Sequence, residues 1–177
     1  MSQIVEADDQ GLVAQAQDGD RKAFAELVRR HQAAIYRVCF RILFDEEDAA
    51  DATQETFLRA YNKLSTFDRR SAFKTWLVRV AVNVSLNARG QQPDRLPLDD
   101  LSLPPSPSAE SIVMRTEAVG QLYRALQALP FNHRVAVILR DLEGLSYRHV
   151  ADMLEVPEGT AKGWAHRGRE RLKELLT

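Results

Sequence analysis

The chain has 177 residues, 45% of them apolar and 28% charged, with a formal net charge of −1. That is enough apolar material for one globular domain or two small ones, and it excludes a chain that is basic overall, so any affinity for nucleic acid has to come from local charge asymmetry. No apolar run approaches the ~20 residues of a membrane span, Met1-Ser2-Gln3 opens no signal-peptide pattern, and a lone cysteine, Cys39, excludes an internal disulfide, so a soluble, cytoplasmic protein is expected.

In chain order, residues 8–18 form a short helix with Leu12, Val13 and Ala16, and Gly19-Asp20 ends it and caps a longer one. The second helix keeps Phe24, Leu27, Val28, Ile35, Val38, Cys39 and Ile42 at helical spacing, with Cys39 on its apolar side as a core residue. Asp45 opens a third helix that continues through Phe57, Ala60, Tyr61 and Leu64. Its acidic start, Glu46-Glu47-Asp48, suits the positive end of a helix dipole, which accounts for the acidic block without any partner.

A polar loop, Ser65 to Arg70, leads to a fourth helix capped by Ser71 and ended at Gly90. Phe73, Trp76, Leu77, Val80, Ala81 and Val84 alternate there with Lys74, Arg79, Asn83, Asn87 and Arg89. Aromatic and basic side chains interleaved in this way suit stacking on unpaired bases and tracking of a phosphate backbone, while a Trp76 that packs the module accounts for the aromatic equally well. The charge is unevenly spread along this half. From Glu46 to Glu55 every charged residue is acidic, whereas Arg59 to Arg95 holds eight Lys or Arg against Asp68 and Asp94, so the two blocks are expected to face different partners.

From Gly90 to Ser108 the chain carries five of its seven prolines and little apolar periodicity, which reads as a flexible linker. Fully extended it reaches roughly 65 Å, close to two turns of DNA duplex at about 34 Å per turn. Beyond it Ile112, Val119, Leu122, Leu126 and Leu129 mark one helix, and three more follow from Asn132 to Leu176. The first of these starts after Pro130, buries Val135, Ile138, Leu139 and Leu142, and stops at Gly144. Ser146 caps the next, whose Val150, Ala151 and Leu154 face inward, and Glu155-Val156-Pro157 breaks the chain before the last.

In the last helix Ala161, Trp164, Ala165, Gly168, Leu172, Leu175 and Leu176 fall on one face, and Lys162, His166, Arg167, Arg169 and Lys173 lie outside it. A basic helix after a tight turn is what helix-turn-helix proteins present to the major groove; a solvated amphipathic helix is the plainer alternative. The expected fold is all-α: two small helical modules, residues 1–89 and 109–177, joined by the Pro-rich linker over 90–108, the C-terminal module a helix-turn-helix. His31, His133, His149 and His166 have no metal-ligand spacing and read as isolated surface histidines, and no glycine-rich phosphate loop appears, so neither a metal nor a cofactor is expected.

These residues resemble the extracytoplasmic-function (group IV) sigma factors of bacterial RNA polymerase. Gly19-Asp20 with Ala23-Phe24 and Leu27-Val28 is similar to the family's opening, Asp48 to Phe57 to its core-binding motif, Ser71 to Arg89 to its segment of aromatic and basic residues, and Leu126 to Arg171 to its C-terminal module. The resemblance implies a sigma factor without catalysis of its own. It would dock on the clamp of the largest subunit of core polymerase through Asp48, Asp51, Gln54 and Glu55. It would capture the melted −10 strand of promoter DNA with Lys63, Arg69, Arg70, Lys74, Trp76, Arg79, Asn83 and Asn87. Arg148, Thr160, Lys162, Gly163, His166, Arg167 and Arg169 would read the −35 duplex, and an anti-sigma factor would hold the protein inactive. The alternative is an autonomous helix-turn-helix regulator, with the N-terminal half a dimerisation or sensing domain.

The sequence departs from the family pattern at Ala50, where an acidic residue is usual, and at Ala161, Gly163, Trp164 and Gly168 in the recognition helix. Trp164 lies on the apolar face, which favours core over contact. Gly163 and Gly168 each lower helix propensity by up to ~1 kcal/mol relative to Ala.

Overall fold

The structure, a computed structural model, describes residues 2–90 and 117–177, with side-chain surroundings from Asp9 onward. The linker expected over 90–108 therefore falls, apart from Gly90, outside the described residues, as does Ile112. The described residues are all-α, with no strand among them. The chain divides into two compact units, Met1–Cys39 with Glu47–Gln91, and Phe40–Glu46 with Gln92–Thr177.

In the N-terminal half α1 spans Ser2–Gln17, α2 Arg21–Leu43, α3 Glu46–Lys63 and α4 Phe73–Gly90. Gly19 takes a φ of 98°, a conformation open mainly to glycine, and turns the chain between α1 and α2. Asp20 then caps α2, its carboxylate accepting from the amides of Lys22 and Ala23 at 2.9 and 3.3 Å. Along α2 the periodic positions Phe24, Leu27, Ile35, Val38, Cys39 and Ile42 are buried. Burial pushes the Cys39 thiol pKa up, consistent with a core residue rather than a reactive one.

Several expectations need correction here. Helix α1 begins at Ser2 rather than near residue 8. Helix α3 ends at Lys63, and Leu64–Thr66 form a 3-10 turn, so the Ser65 to Arg70 segment is not wholly a loop. Helix α4 starts at Phe73, with the Ala72 carbonyl accepting from Trp76, one residue past the start that a Ser71 cap implies. His31 is not a surface histidine. It is 5% exposed, and its Nε2 lies 2.6 Å from Asp9 Oδ2 on α1, a partner that compensates the burial of a polar ring. Tyr61 is 45% exposed, with its ring edge against Phe24 at 5.0 Å between centroids.

In the C-terminal half α5 spans Glu117–Gln127, α6 Phe131–Val137, α7 Tyr147–Leu154 and α8 Glu158–Leu176. Helix α6 runs on into a π-helical turn, Ile138–Leu142, closed by the Glu143 amide donating to the Ile138 carbonyl at 3.0 Å. The extra residue in that turn rotates the following side chain around the axis, so Leu142, expected in the core, is exposed while Ile138 and Leu139 stay buried. Gly144 turns the chain at a φ of 70°. Ser146 caps α7 as expected, its hydroxyl accepting from the His149 amide at 3.2 Å.

Glu155 ends α7 in the left-handed region at φ 54°, and α8 begins three residues later. Ala161, Ala165 and Gly168 of α8 are buried, and Trp164 and Leu172 half-buried. Leu175 and Leu176, expected on the same dry face, are exposed in the last turn.

Candidate nucleic-acid and docking surfaces

Two surfaces form in the N-terminal unit. On α3, Asp51 and Gln54 are exposed and Asp48 and Glu55 half-exposed. Glu55 is engaged by Arg59 one turn on, at 2.6 Å, and Asp48 also has an interaction within the protein. Ala50 is exposed beside them. Counting along the helix from Asp51, steps of three and four reach Gln54, Leu58 and Tyr61, so these side chains share one stripe. Leu58 is 56% exposed, an apolar side chain that the periodic pattern did not single out. The stripe is acidic and amide-bearing at one end and apolar at the other.

The second surface is built on the turn before α4. Gln17, the last residue of α1, donates through Nε2 to the carbonyls of Leu64 and Phe67 at 2.9 and 2.8 Å, which ties both ends of the 3-10 turn to α1. Phe67 is buried, and its ring stacks on that of Trp76 at 4.9 Å and meets Phe73 edge-on at 6.0 Å. Phe73 in turn meets the His31 ring edge-on at 5.5 Å, so the buried Asp9–His31 pair backs this aromatic cluster. Trp76 is half-buried and packs against Phe67 and Phe73 within that cluster.

Beyond Phe67 the Asp68 carboxylate accepts from the Arg70 amide at 3.1 Å, and Arg69 adopts the left-handed region at φ 60°. That local turn sets out Arg69 and Arg70, both exposed. Lys63 is exposed at the end of α3 and Lys74 in the first turn of α4. Arg79, Asn83 and Asn87 are exposed and fall four residues apart, one continuous line along α4. All eight side chains assigned from sequence to this surface thus lie on α4, on the turn before it or at the end of α3.

The C-terminal unit carries the third surface. Lys162, His166 and Arg167 are exposed on α8, Thr160, Gly163 and Arg169 are half-exposed, and Arg148 is exposed in the first turn of α7. Two of the three glycines of α8, Gly163 and Gly168, have steric roles that helix propensity does not reveal. A Cβ on Gly168 would lie 2.6 Å from Val137 Cγ2 and 3.1 Å from the His133 carbonyl, so α6 and α8 approach there at backbone distance. A Cβ on Gly163 would lie 3.3 Å from the Arg167 guanidinium, which folds back across it. Arg167 Nε reaches His133 Nε2 at 3.5 Å, and burial together with the nearby Arg167 charge lowers the His133 pKa.

Tyr147, the first residue of α7, was not singled out from sequence, although it touches three cations. Its hydroxyl accepts from Arg169 Nη2 at 3.0 Å, and its ring lies under Arg140 and Lys162 at 4.8 and 5.8 Å. Arg169 also reaches both Asp141 oxygens at 3.3 Å, and Lys162 pairs with Glu158 at 3.1 Å. Among the described residues no group of His, Cys, Asp or Glu could hold a metal ion, and no helix is long and apolar enough to cross a membrane.

Two family models match the chain. Residues 27–93 match the model of sigma-70 region 2, and residues 120–172 that of sigma-70 region 4. The chain is 35% identical to the RNA polymerase sigma-H factor of Pseudomonas aeruginosa, over 98% of this chain and 96% of that protein. It is also 35% identical to the ECF RNA polymerase sigma-E factor of Escherichia coli, over 93% and 92%. Among solved structures it is similar to CnrH in complex with the cytosolic domain of CnrY, with a TM-score of 0.66 and 26% identity over 95% of this chain and 96% of that one. It is likewise similar to the sigma factor RpoE of Bartonella quintana in complex with the anti-sigma factor NepR, with a TM-score of 0.68 and 25% identity over 88% and 97%.

Proposed function

Because the chain belongs to the extracytoplasmic-function branch of the sigma-70 family, we propose that its three surfaces divide the work of an alternative sigma factor. The protein binds core RNA polymerase and directs promoter-specific transcription initiation. The α3 stripe docks on the clamp of the largest subunit, with Asp51 and Gln54 supplying polar contacts and Leu58 and Tyr61 the apolar part. The turn before α4, with the line Arg79–Asn83–Asn87, captures the melted −10 strand. Helix α8, with Arg148 of α7, reads the −35 duplex. The corresponding modules are residues 1–89 and 109–177, with 90–108 as the linker between them.

The observation that carries this reading is the segregation of exposed side chains in the N-terminal unit: acidic, amide and apolar groups on α3, basic and amide groups above an aromatic base on α4. A positively charged surface with a stacking platform suits single-stranded nucleic acid, whereas an acidic and apolar stripe repels it and suits a protein. An autonomous regulator would leave that pair of surfaces without a joint purpose. No catalytic step is assigned to the chain. It works in the cytoplasm, where its polymerase is, and its relative RpoE, solved with NepR, supports an anti-sigma partner for this chain too.

Footprinting on promoter DNA, with and without core polymerase, tests the proposal. Two small modules joined through a Pro-rich segment bind both elements weakly until docking on core fixes their separation. Protection of the −10 and −35 elements together should therefore require core. A sharp footprint over both from the free protein would return the chain to the autonomous reading.

A further inference from the structure

The basic side chains of the C-terminal unit are not independent of one another. Lys162 and Arg169 lie two turns apart on α8, and Tyr147 at the start of α7 lies against both: Lys162 Nζ is 5.8 Å above its ring, and Arg169 Nη2 donates to its hydroxyl at 3.0 Å. Arg140, 4.8 Å over the same ring, donates to the Leu145 carbonyl at 2.9 Å, which ties it to the backbone entering α7. Arg169 is gripped from its other side by Asp141. Long cationic side chains in water sample many rotamers, and ordering each one on binding costs free energy. Here each has partners within the protein, Lys162 both the Tyr147 ring and Glu158 at 3.1 Å, yet the side chains of Lys162 and Arg169 remain 56% and 40% exposed, open to a ligand.

We propose that Tyr147 is the positioning residue of the −35 interface, its ring setting Lys162 and its hydroxyl setting Arg169 before DNA arrives. The inference rests on the assignment of α8 to −35 recognition and goes beyond it, because Tyr147 acts through two cations and need not touch a base itself. A positioning group supplies geometry without charge. Its loss should therefore lower discrimination between −35 sequences while leaving the electrostatic, sequence-independent part of binding in place.

The test uses the full chain assembled with core polymerase, and as probe a promoter selected by that holoenzyme from a library randomised over its −35 element, compared with the same promoter carrying a scrambled −35. Tyr147→Phe keeps the ring and removes only the hydroxyl bond to Arg169. The ratio of affinities for selected over scrambled DNA should fall about three- to tenfold, the range expected when one long side chain must be ordered on binding. The salt dependence of binding should not change, and Tyr147→Leu should lower the ratio further. In an Arg169→Ala background, Tyr147→Phe should have no additional effect, since two changes acting through one interaction are not additive.

A ratio left intact by Tyr147→Phe and Tyr147→Leu, while Arg169→Ala or Lys162→Ala lowers it, overturns the positioning role alone. If Arg169→Ala and Lys162→Ala also leave it intact, the −35 assignment of α8 fails with it. If the Tyr147 variants weaken both DNAs equally and lower the melting temperature, Tyr147 merely holds the fold together and the proposal is again wrong.

Discussion

Gly168 and Val137 bring α8 and α6 to backbone contact: a methyl group at position 168 would sit 2.6 Å from Val137 Cγ2, closer than two carbons can approach. In an exposed helix Gly→Ala is stabilising by up to ~1 kcal/mol through propensity. At this close approach the clash should win, and Gly168→Ala should destabilise the protein by about 1–3 kcal/mol, the usual cost of overpacking. Chemical denaturation measures it. Val137→Ala in the same chain should restore part of the stability, and an unchanged or raised stability for Gly168→Ala alone would show that α6 and α8 separate freely.

His133 links stability to pH through its burial first and the nearby Arg167 charge second. Burial and the Arg167 charge hold its pKa below the ordinary value of about 6.5, so in the window between the two values the unfolded chain binds more protons than the folded one. The stabilisation is therefore complete above about pH 6.5 and is lost as pH falls through that window. Protonation also removes the lone pair that accepts from Arg167 Nε. Melting temperature should fall more steeply with acidification in the wild type than in His133→Gln, which keeps an acceptor but does not titrate. Parallel curves for the two proteins would remove His133 from the account.

On α3, Asp51→Ala and Gln54→Ala should each weaken core polymerase binding more than tenfold, the equivalent of about 1.5–3 kcal/mol for removing a charge-assisted hydrogen bond from an interface. Leu58→Ala should do so as well, since an exposed leucine on a docking stripe buries its area only in the complex. Ala50→Glu, which restores the acidic residue usual in the family, should tighten binding. Titration of core with labelled protein reads all four, and unchanged affinities would leave the acidic tract explained by its helix N-terminus alone.

The positions where sequence reasoning succeeded and failed differ in one physical respect. The helix-turn-helix was legible because its signals are local: Ser146 caps α7 by bonding an amide three residues on, and the Glu155-Val156-Pro157 break lies where it was expected. His31 was misplaced because what identifies it, Asp9, lies 22 residues away on another helix, and helical periodicity alone does not reveal that pairing. Gly168 was read as a propensity defect because the Val137 side chain that excludes a larger residue comes from α6. Leu142 was assigned to the core by a regular period that the π turn interrupts. Tyr147 escaped notice because its three cations come from two segments either side of it.

Gln17 should matter for promoter opening although it lies on α1 and is not among the side chains assigned to DNA. Its amide holds the Leu64 and Phe67 carbonyls together, and so fixes the turn on which Arg69 and Arg70 are displayed. Gln17→Leu keeps the bulk and removes both bonds, with an expected loss of about 1–2 kcal/mol in stability, the Leu64 carbonyl keeping the Phe67 amide as donor while the Phe67 carbonyl loses Gln17. Core binding and −35 binding should be retained while open-complex formation falls. Normal opening by this variant would show that the turn keeps its shape without α1.

The last expectation concerns Asn83, midway along the exposed line Arg79–Asn83–Asn87. A primary amide donates and accepts at once, which suits the edge of an unpaired base, and Arg79 one turn before it suits its phosphates. Asn83 is exposed, so its replacement by Ala leaves no cavity and should not cost stability beyond the ±0.5 kcal/mol or so usual at surface sites. Core binding and −35 binding should persist, and open complexes should become less stable by about 1–3 kcal/mol, the range for hydrogen bonding to one base edge. Pre-melted promoter DNA separates two mechanisms. If opening is rescued on it, Asn83 contributes to strand separation; if the deficit persists, the residue holds the unpaired base itself. Normal initiation by Asn83→Ala on intact duplex, or unfolding of the N-terminal unit, would remove Asn83 from the interface and leave the −10 surface to the turn before α4.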